Sequence, residues 1–390
     1  MTLFDELERR NVRPKRYGEP VFVYLNASGR QPCKVIRALL ERWFSRVPDF
    51  TRADLRARFR SSTDSQHQGA FFELYLHELL SRIGYDVEVH PDLRGTGNRP
   101  DYLAVNAEGP QFYVEATLAL PSREEEAAGA RAAQVYDAID AMESPNFFLA
   151  IRVRGAPSTP PAGRKLADAL SRWLRTKDPD ALGEVLSVGG FDALPRFDWS
   201  HDGWDLSFFP VAKSPGLRGT PGVRPIGITM PEVEILESHK AIRAAVCNKA
   251  TRYGPLDLPY VIAVNVIAEH VDTSDIMNAL FGKEYVEIRR NADGSLDQSC
   301  GRKRDGAWFG PTGPRNTRVS AALIANNLAE WTIHQSPVLI HNPFAAKPLP
   351  IKLWPLPQLV PDERRERLVD RSGVDVADLL DLPRPWPPVD

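Results

Sequence analysis

The fold of this chain follows from the stretch GAFFELYLHELLSRIG (69–84) and from three segments after it. These are YDVEVHP (85–91), RPDYLAV (99–105) and FYVEATLAL (112–120). Apolar side chains recur at helical spacing through its first part and predict an amphipathic helix over Ala70–Ile83. Gly84 is well placed to end that helix. The residues of the apolar stripe are Phe71, Leu74, Tyr75, Leu79 and Ile83.

Three short strands are predicted directly after this helix. They cover Tyr85–His90, Tyr102–Val105 and Gln111–Leu118, and the turn-forming segment Asn106–Gly109 joins the last two as a hairpin. A helix over Arg123–Met142 and a buried strand over Asn146–Val153 follow. This order predicts an α/β sandwich in which helices cover both sides of one sheet.

Three carboxylates fall within this core. Glu73 lies on the first helix, Asp101 enters the second strand and Glu115 lies in the third. A hairpin brings the start of one strand beside the end of the next, so we expect Asp101 and Glu115 to meet. Two hard oxygen ligands, completed by water and a substrate phosphate, suit Mg²⁺. Glu115 is the strongest candidate of the three, because this charged residue interrupts a strand that is otherwise predicted to be buried.

Residues 66–153 resemble the PD-(D/E)xK nuclease superfamily in the helix, in Pro100-Asp101 and in Glu115-Ala116-Thr117. The resemblance implies a restriction-endonuclease-like fold, a mixed sheet flanked by helices. It also implies that Asp101, Glu115 and Glu73 form a site for Mg²⁺ or Mn²⁺, at which activated water hydrolyses DNA phosphodiester bonds. A role in defence or DNA processing is consistent with it.

One position departs from the pattern of that superfamily. Thr117 stands where a lysine is expected to orient the water and stabilise negative charge. A threonine hydroxyl can hydrogen-bond a water but brings no charge. Either a lysine from elsewhere replaces it, or the site is weak or inactive. The replacement candidates are Lys249, which is preferred, and Lys240, both on the helix before PYVIAVNV (259–266). Gln134 on the second core helix is a further polar candidate.

Composition narrows the class of protein. The 390 residues carry a net charge of −2, but residues 1–60 hold 14 Lys and Arg against 7 Asp and Glu. Such a basic arm suits phosphate contacts, and equally a solvated helical face. Cys33, Cys247 and Cys300 form no disulfide or zinc pattern, and no secretory signal begins the chain, so we expect a cytoplasmic protein. DNA is the expected partner, a homodimer is allowed for, and no membrane is expected.

Four regions are predicted along the chain: a basic N-terminal helical arm (1–60), the nuclease-like core (61–155), an α+β C-terminal extension (156–360) and a mobile Pro-rich tail (361–390). Within the extension, a helix over Glu234–Tyr253 and the buried strand 259–266 either extend the core sheet or build a second lobe. The segment Gly301–Arg318 interleaves cations with Trp308 and Phe309, which suits a nucleic-acid strand as well as an anchored surface loop.

Three functions remain open at this point. The first is a Mg²⁺-dependent nuclease. The second is a nuclease-like module that binds nucleic acid or a partner protein without cutting. The third is a structural protein whose carboxylates pair with Arg94 or Arg99. Taken alone, Glu73 also suits a solvent-facing helix position, and Asp101 suits a turn.

Overall fold

The secondary structure follows the apolar spacing of the chain and the residues that interrupt it. The computed structural model describes residues 1–93, 97–231, 238–268, 271–291, 295–364 and 367–388. Its helices are α1 Val21–Ala27, α2 Gln31–Phe44, α3 Asp49–Phe59, α4 Asp64–Ile83, α5 Arg123–Asp140, α6 Gly163–Arg175, α7 Pro179–Gly189, α8 Ser238–Ala250, α9 Thr273–Phe281 and α10 Val376–Leu379. Its strands are β1 Asp86–Val89, β2 Tyr102–Asn106, β3 Gly109–Ala119, β4 Phe147–Arg154, β5 Phe197–His201, β6 Trp204–Ala212, β7 Ile226–Pro231, β8 Tyr260–Val266, β9 Glu284–Arg290, β10 Leu296–Arg302, β11 Phe309–Gly310, β12 Gly313–Pro314, β13 Ala321–Asn326, β14 Val338–His341, β15 Gln358–Pro361 and β16 Leu368–Arg371.

Helix α4 is the helix predicted around Glu73. It begins at Asp64, earlier than predicted, with that acidic residue in the first turn, where negative charge is favourable. It ends at Gly84, which adopts a left-handed φ of 108° that a residue with a Cβ tolerates poorly. The predicted start and stop of strands β1, β2 and β3 agree with the structure to within about two residues, the usual scatter at element ends.

The chain divides into two compact units. The first comprises Met1–Val12, Pro20–Leu120 and Glu237–Asp390, and the second comprises Arg13–Glu19 and Pro121–Leu236. The predicted core region 61–155 is therefore divided after Leu120. The mixed α/β class is confirmed.

The first unit is built on one mixed sheet in the order β1-β2-β3-β8-β13-β14-β15-β16. Strands β1, β2 and β3 are antiparallel neighbours, whereas β3, β8 and β13 run parallel to one another. The second helix–strand unit of the sequence thus extends the core sheet. This was one of the two alternatives predicted for it.

Alternation along β3 sorts its side chains between the two faces of the sheet. Phe112, Val114 and Ala116 pack with the apolar residues of α2 and α4. Tyr113 packs on the opposite face with residues of α8 and of strand β8. Since successive strand residues point to opposite faces, the odd-numbered Glu115 and Thr117 face the side covered by α8.

The position of β4 corrects the predicted fold. This strand was expected in the core sheet, yet it lies in the second unit, in a separate sheet of order β5-β6-β4-β7. The place beside β3 is taken by β8, whose residues are all buried and suit a central parallel strand. The amphipathic helices α5 and α6 cover the second sheet through a separate apolar core, with Val135, Leu170 and Trp204 among its buried members.

The C-terminal tail also differs from its prediction. Strand β16 pairs with β15 at the edge of the large sheet. Leu380 and Trp386 are buried, and the Trp386 indole N–H donates to the carbonyl of Glu330 at 3.0 Å. The described part of the tail is therefore packed, because its apolar residues find partners that composition alone does not reveal. Among the described residues, no helix combines the length and apolar character needed to cross a membrane.

Candidate active site

The β2–β3 hairpin brings Asp101 opposite Glu115. Tyr102 pairs with Val114, and the same antiparallel register continued by one residue sets Asp101 against Glu115. The Asp101 Oδ2 accepts the backbone N–H of Ala116 at 2.7 Å, which fixes the carboxylate at the strand. The turn that closes the hairpin is the predicted one, with Gly109 at a φ of 104°. Asp101 and Glu115 therefore lie side by side, as the hairpin predicted.

Glu115 is almost fully buried, with 1% of its surface exposed, and three donors reach its carboxylate. The Lys249 amine lies 2.6 Å from Oε1, and the Arg252 guanidinium lies 3.0 Å from the same oxygen. The Tyr253 hydroxyl donates to Oε2 at 2.5 Å. A buried carboxylate requires such compensation, because desolvation of an unpaired charge is costly.

Helix α8 and the turn that follows it position both cations. Strand β8 pairs in parallel with β3, and α8, which leads into β8, covers the face of the sheet toward which Glu115 points. Lys249 lies in the last turn of α8, and Arg252 follows three residues later, so that both reach one carboxylate. Lys240, the other lysine proposed from the sequence, is exposed and lies nine residues earlier, about 13 Å along the helix axis.

Thr117 occupies the same face of β3 as Glu115, two residues further on, and is half-buried. It pairs with Val264 of β8. Thr117 carries no charge, and the Lys249 amine brings a positive charge to the neighbouring Glu115 on this face. The structure therefore brings together Asp101, which directly precedes β2, Glu115 of β3 and Lys249 of α8.

The surroundings of Asp101 raise the pKa of its carboxyl group. Burial, the Glu115 carboxylate and the Glu73 carboxylate together raise the pKa of Asp101 to about 7. The Ala116 N–H and the Lys249 amine act in the opposite direction but do not cancel these effects. A carboxyl group with this pKa is partly protonated near neutral pH, and added positive charge favours its ionised form.

Glu73 approaches from the other side of the sheet. Helix α4 packs on the face opposite to α8, and the Tyr102 hydroxyl donates to the backbone carbonyl of Glu73 at 2.9 Å. The Arg58 guanidinium donates two hydrogen bonds of 2.6 Å to the Glu73 carboxylate. Glu73 is thus neither a free surface residue nor a direct neighbour of Lys249, although its charge acts on Asp101.

Three functional candidates were not predicted from the sequence: Arg58, Arg252 and Tyr253. The segment NKATRY (248–253) carried a usable signal for two of them, because Lys249, Arg252 and Tyr253 follow one another at helical spacing directly before a buried strand. Arg58 carried none, since α3 holds several arginines of similar character.

Three further candidates were named from the sequence: Arg94, Arg99 and Gln134. Arg99 pairs with Asp92 at 2.7 Å, and Arg94 lies outside the described residues. Gln134 lies on α5 of the second unit. In the described ranges, no three His, Cys, Asp or Glu side chains are grouped as a metal site. Comparison of the chain with family models, curated proteins and solved structures gives no match.

Proposed function

We propose that this protein is a Mg²⁺-dependent endonuclease that hydrolyses DNA phosphodiester bonds on a restriction-endonuclease-like fold. One observation carries the proposal: the Lys249 amine lies 2.6 Å from Glu115, whose strand neighbour is Asp101. An Asp, a Glu and a Lys are the groups this chemistry needs, and here they converge although the sequence separates them widely. The order α4, β1, β2, β3 supports the fold, with β8 in the place expected for β4.

The donor set suits Mg²⁺. Carboxylate oxygens are the ligands that this ion prefers, and Asp101 and Glu115 would hold it, with Glu73 assisting from the α4 side. Burial, and after it the Glu115 and Glu73 carboxylates, raise the pKa of Asp101, and a bound cation would favour its ionised form. When bound, Mg²⁺ activates a water and neutralises charge on the phosphodiester under attack.

The side chains of the protein have distinct tasks in this scheme. Asp101 must be ionised to bind a cation, so its proton leaves the Oδ atoms as the ion enters. The Lys249 amine orients the attacking water and stabilises negative charge that develops on the phosphate, as the residue at the Thr117 position does elsewhere in the superfamily. The Tyr253 hydroxyl holds Glu115 in place.

Two lysines of the same helix provide a matched test. Lys249→Met removes the amine beside Glu115, whereas Lys240→Met removes an exposed amine of the same helix. With supercoiled plasmid or single-stranded DNA and Mg²⁺ or Mn²⁺, we expect cleavage to fall by about 10²-fold or more in the first variant, as for loss of one charge-stabilising donor. The second should cleave as the parent does. Equal cleavage by both variants refutes the assignment of Lys249.

A second candidate function has its own supporting observation. Glu115 is held by Lys249 and Arg252, and Glu73 by Arg58, so the carboxylates already have protein cations as partners. A nuclease-like module that binds nucleic acid or a partner protein without cutting would need no metal. Calorimetric titration with Mn²⁺ separates the two, because absence of binding together with retained DNA affinity favours the module.

A further inference from the structure

We propose that four cations around the end of α8, named here the α8 basic cluster, bind the phosphate backbone of DNA and guide it to the carboxylates. The cluster consists of Arg252, Arg315, Arg318 and Lys347, all exposed. This inference rests on the proposed function and adds to it the surface that holds the substrate.

The cluster is contiguous with the candidate active site through Tyr253. The hydroxyl of Tyr253 donates to Glu115, and its backbone carbonyl accepts from the Arg318 guanidinium. The Arg252 guanidinium lies 6.0 Å from the centre of the Tyr253 ring and also contacts Glu115. A phosphate bound between Arg252 and Arg318 would therefore lie beside the Glu115 carboxylate.

The outer cations are held in position without being neutralised. The Arg315 guanidinium contacts the Cys247 sulfur of α8 at 3.2 Å, and the Lys347 amine donates to the backbone carbonyl of Asp257 at 2.6 Å. Like Arg318, these two rest on uncharged acceptors. Within the part of the chain that the structure describes, Arg315, Arg318 and Lys347 form no ion pair with a carboxylate.

Fixed and uncompensated cations are suited to a polyanion. Their side chains lose little further freedom on binding, and each phosphate contact releases counterions from the nucleic acid. The anchoring of the segment explains how it is fixed: Trp308 is fully buried, and its carbonyl accepts the backbone N–H of Arg315 at 2.8 Å. The sequence alone left this segment open as nucleic-acid surface or anchored loop, and the anchored loop is what presents the cations.

The test measures DNA binding in EDTA, where cleavage and metal play no part. The perturbed protein carries Arg315→Ala, Arg318→Ala and Lys347→Ala, and the matched control carries Arg164→Ala, Arg172→Ala and Arg175→Ala. The control removes three exposed cations from α6 of the second unit and changes the net charge equally. Fluorescence anisotropy with labelled duplex and single-stranded DNA gives the affinity of each protein as a function of salt.

We expect the slope of log K against log salt to become shallower by about 3 for duplex and about 2 for single-stranded DNA in the cluster variant only, three contacts being lost. A variant that keeps the three charges, Arg315→Lys with Arg318→Lys and Lys347→Arg, should have the slope of the parent. Loss of folding on substitution at these positions would not give this result. Equal slopes for parent, cluster variant and control overturn the inference but leave the cleavage test of Lys249 untouched. If the parent protein fails to bind DNA at low salt, both the cluster and the DNA substrate are refuted.

Discussion

Metal binding is predicted to depend strongly on pH, because Asp101 must lose its proton before it can bind a cation. The perturbation is a change of pH from 8 to 6. Across this interval an aspartate at the ordinary pKa of 3.8 stays ionised, whereas Asp101, with its pKa raised to about 7 by burial and two carboxylate neighbours, does not. The pH response therefore reports on the burial of Asp101 and on the charges of Glu115 and Glu73.

The magnitude follows from competition between one proton and the metal. Proton competition multiplies the apparent Kd by a factor of one plus the ratio of the proton concentration to the acid dissociation constant. For a pKa of about 7, this factor is about 1.1 at pH 8 and about 11 at pH 6. Binding should therefore weaken by about tenfold. For an ordinary aspartate the same change of pH alters the Kd by about one per cent.

Calorimetric titration with Mn²⁺ in the absence of DNA provides the measurement, at matched ionic strength and with Asp101→Asn as the control. The control should bind weakly at both pH values and show no proton competition. If the parent protein binds Mn²⁺ with the same Kd at pH 6 and pH 8, the electrostatic argument for the site is wrong. Pronounced pH dependence retained in the control would assign it to another group.

Without metal, the same shift acts on stability with the opposite sign. Between pH 3.8 and about 7 the folded protein binds a proton at Asp101 that the unfolded chain does not bind. The free energy of unfolding should therefore fall as pH rises through this window, and Asp101→Asn should remove that part of the slope. Urea unfolding of the metal-free proteins at several pH values checks the sign.

Three further outcomes are expected. Tyr253→Phe removes the donor to the buried Glu115 Oε2 and should lower the free energy of unfolding by about 2 kcal/mol, measured by urea unfolding; no loss would show that the hydroxyl does not hold Glu115. The ring nitrogens of His67 lie within hydrogen-bonding distance of the Phe59 carbonyl and, at 2.7 Å, of the Glu330 carboxylate. Burial lowers the pKa of His67, but the Glu330 carboxylate outweighs it, and the pKa is raised. Its contribution to stability should be complete below about pH 6.5 and vanish as pH rises through the raised folded pKa, a dependence that His67→Gln should abolish in thermal unfolding. Lys249→Met should lower the free energy of unfolding by about 2 kcal/mol in the parent protein and by less in the Glu115→Gln background. Equal losses in the two backgrounds of this double-mutant cycle would show that Lys249 and Glu115 do not stabilise each other.

The local structure around the candidate site agrees with its prediction, whereas the functional roles of its residues stay predictions. Helix α4 and its stop at Gly84 follow from apolar spacing, and the meeting of Asp101 with Glu115 follows from hairpin geometry. Lys249 was reached by a weaker argument, that a helix before a buried strand packs beside the core. Its amine is now found at Glu115, while its role in catalysis stays a prediction.

What the sequence left unresolved is non-local. Strand β3 has a parallel partner in β8, far along the chain, and the second unit lies between them in sequence. Nothing in the pattern of β4 distinguishes an inserted sheet from a continuation of the first, because both require a buried apolar strand. The pairing of Arg58 with Glu73 likewise depends on how α3 packs against α4, which helix periodicity alone does not fix.

We propose that Asp101 and Glu115 form the active centre of a Mg²⁺-dependent nuclease. The most direct measurement is cleavage of supercoiled plasmid by the parent protein and by Asp101→Ala and Glu115→Ala variants, each with Mg²⁺ and with EDTA. We expect nicking or linearisation by the parent with Mg²⁺ alone and none by either variant. Cleavage that persists unchanged in both variants, or a folded parent protein that cuts no DNA with Mg²⁺ or Mn²⁺, would contradict it.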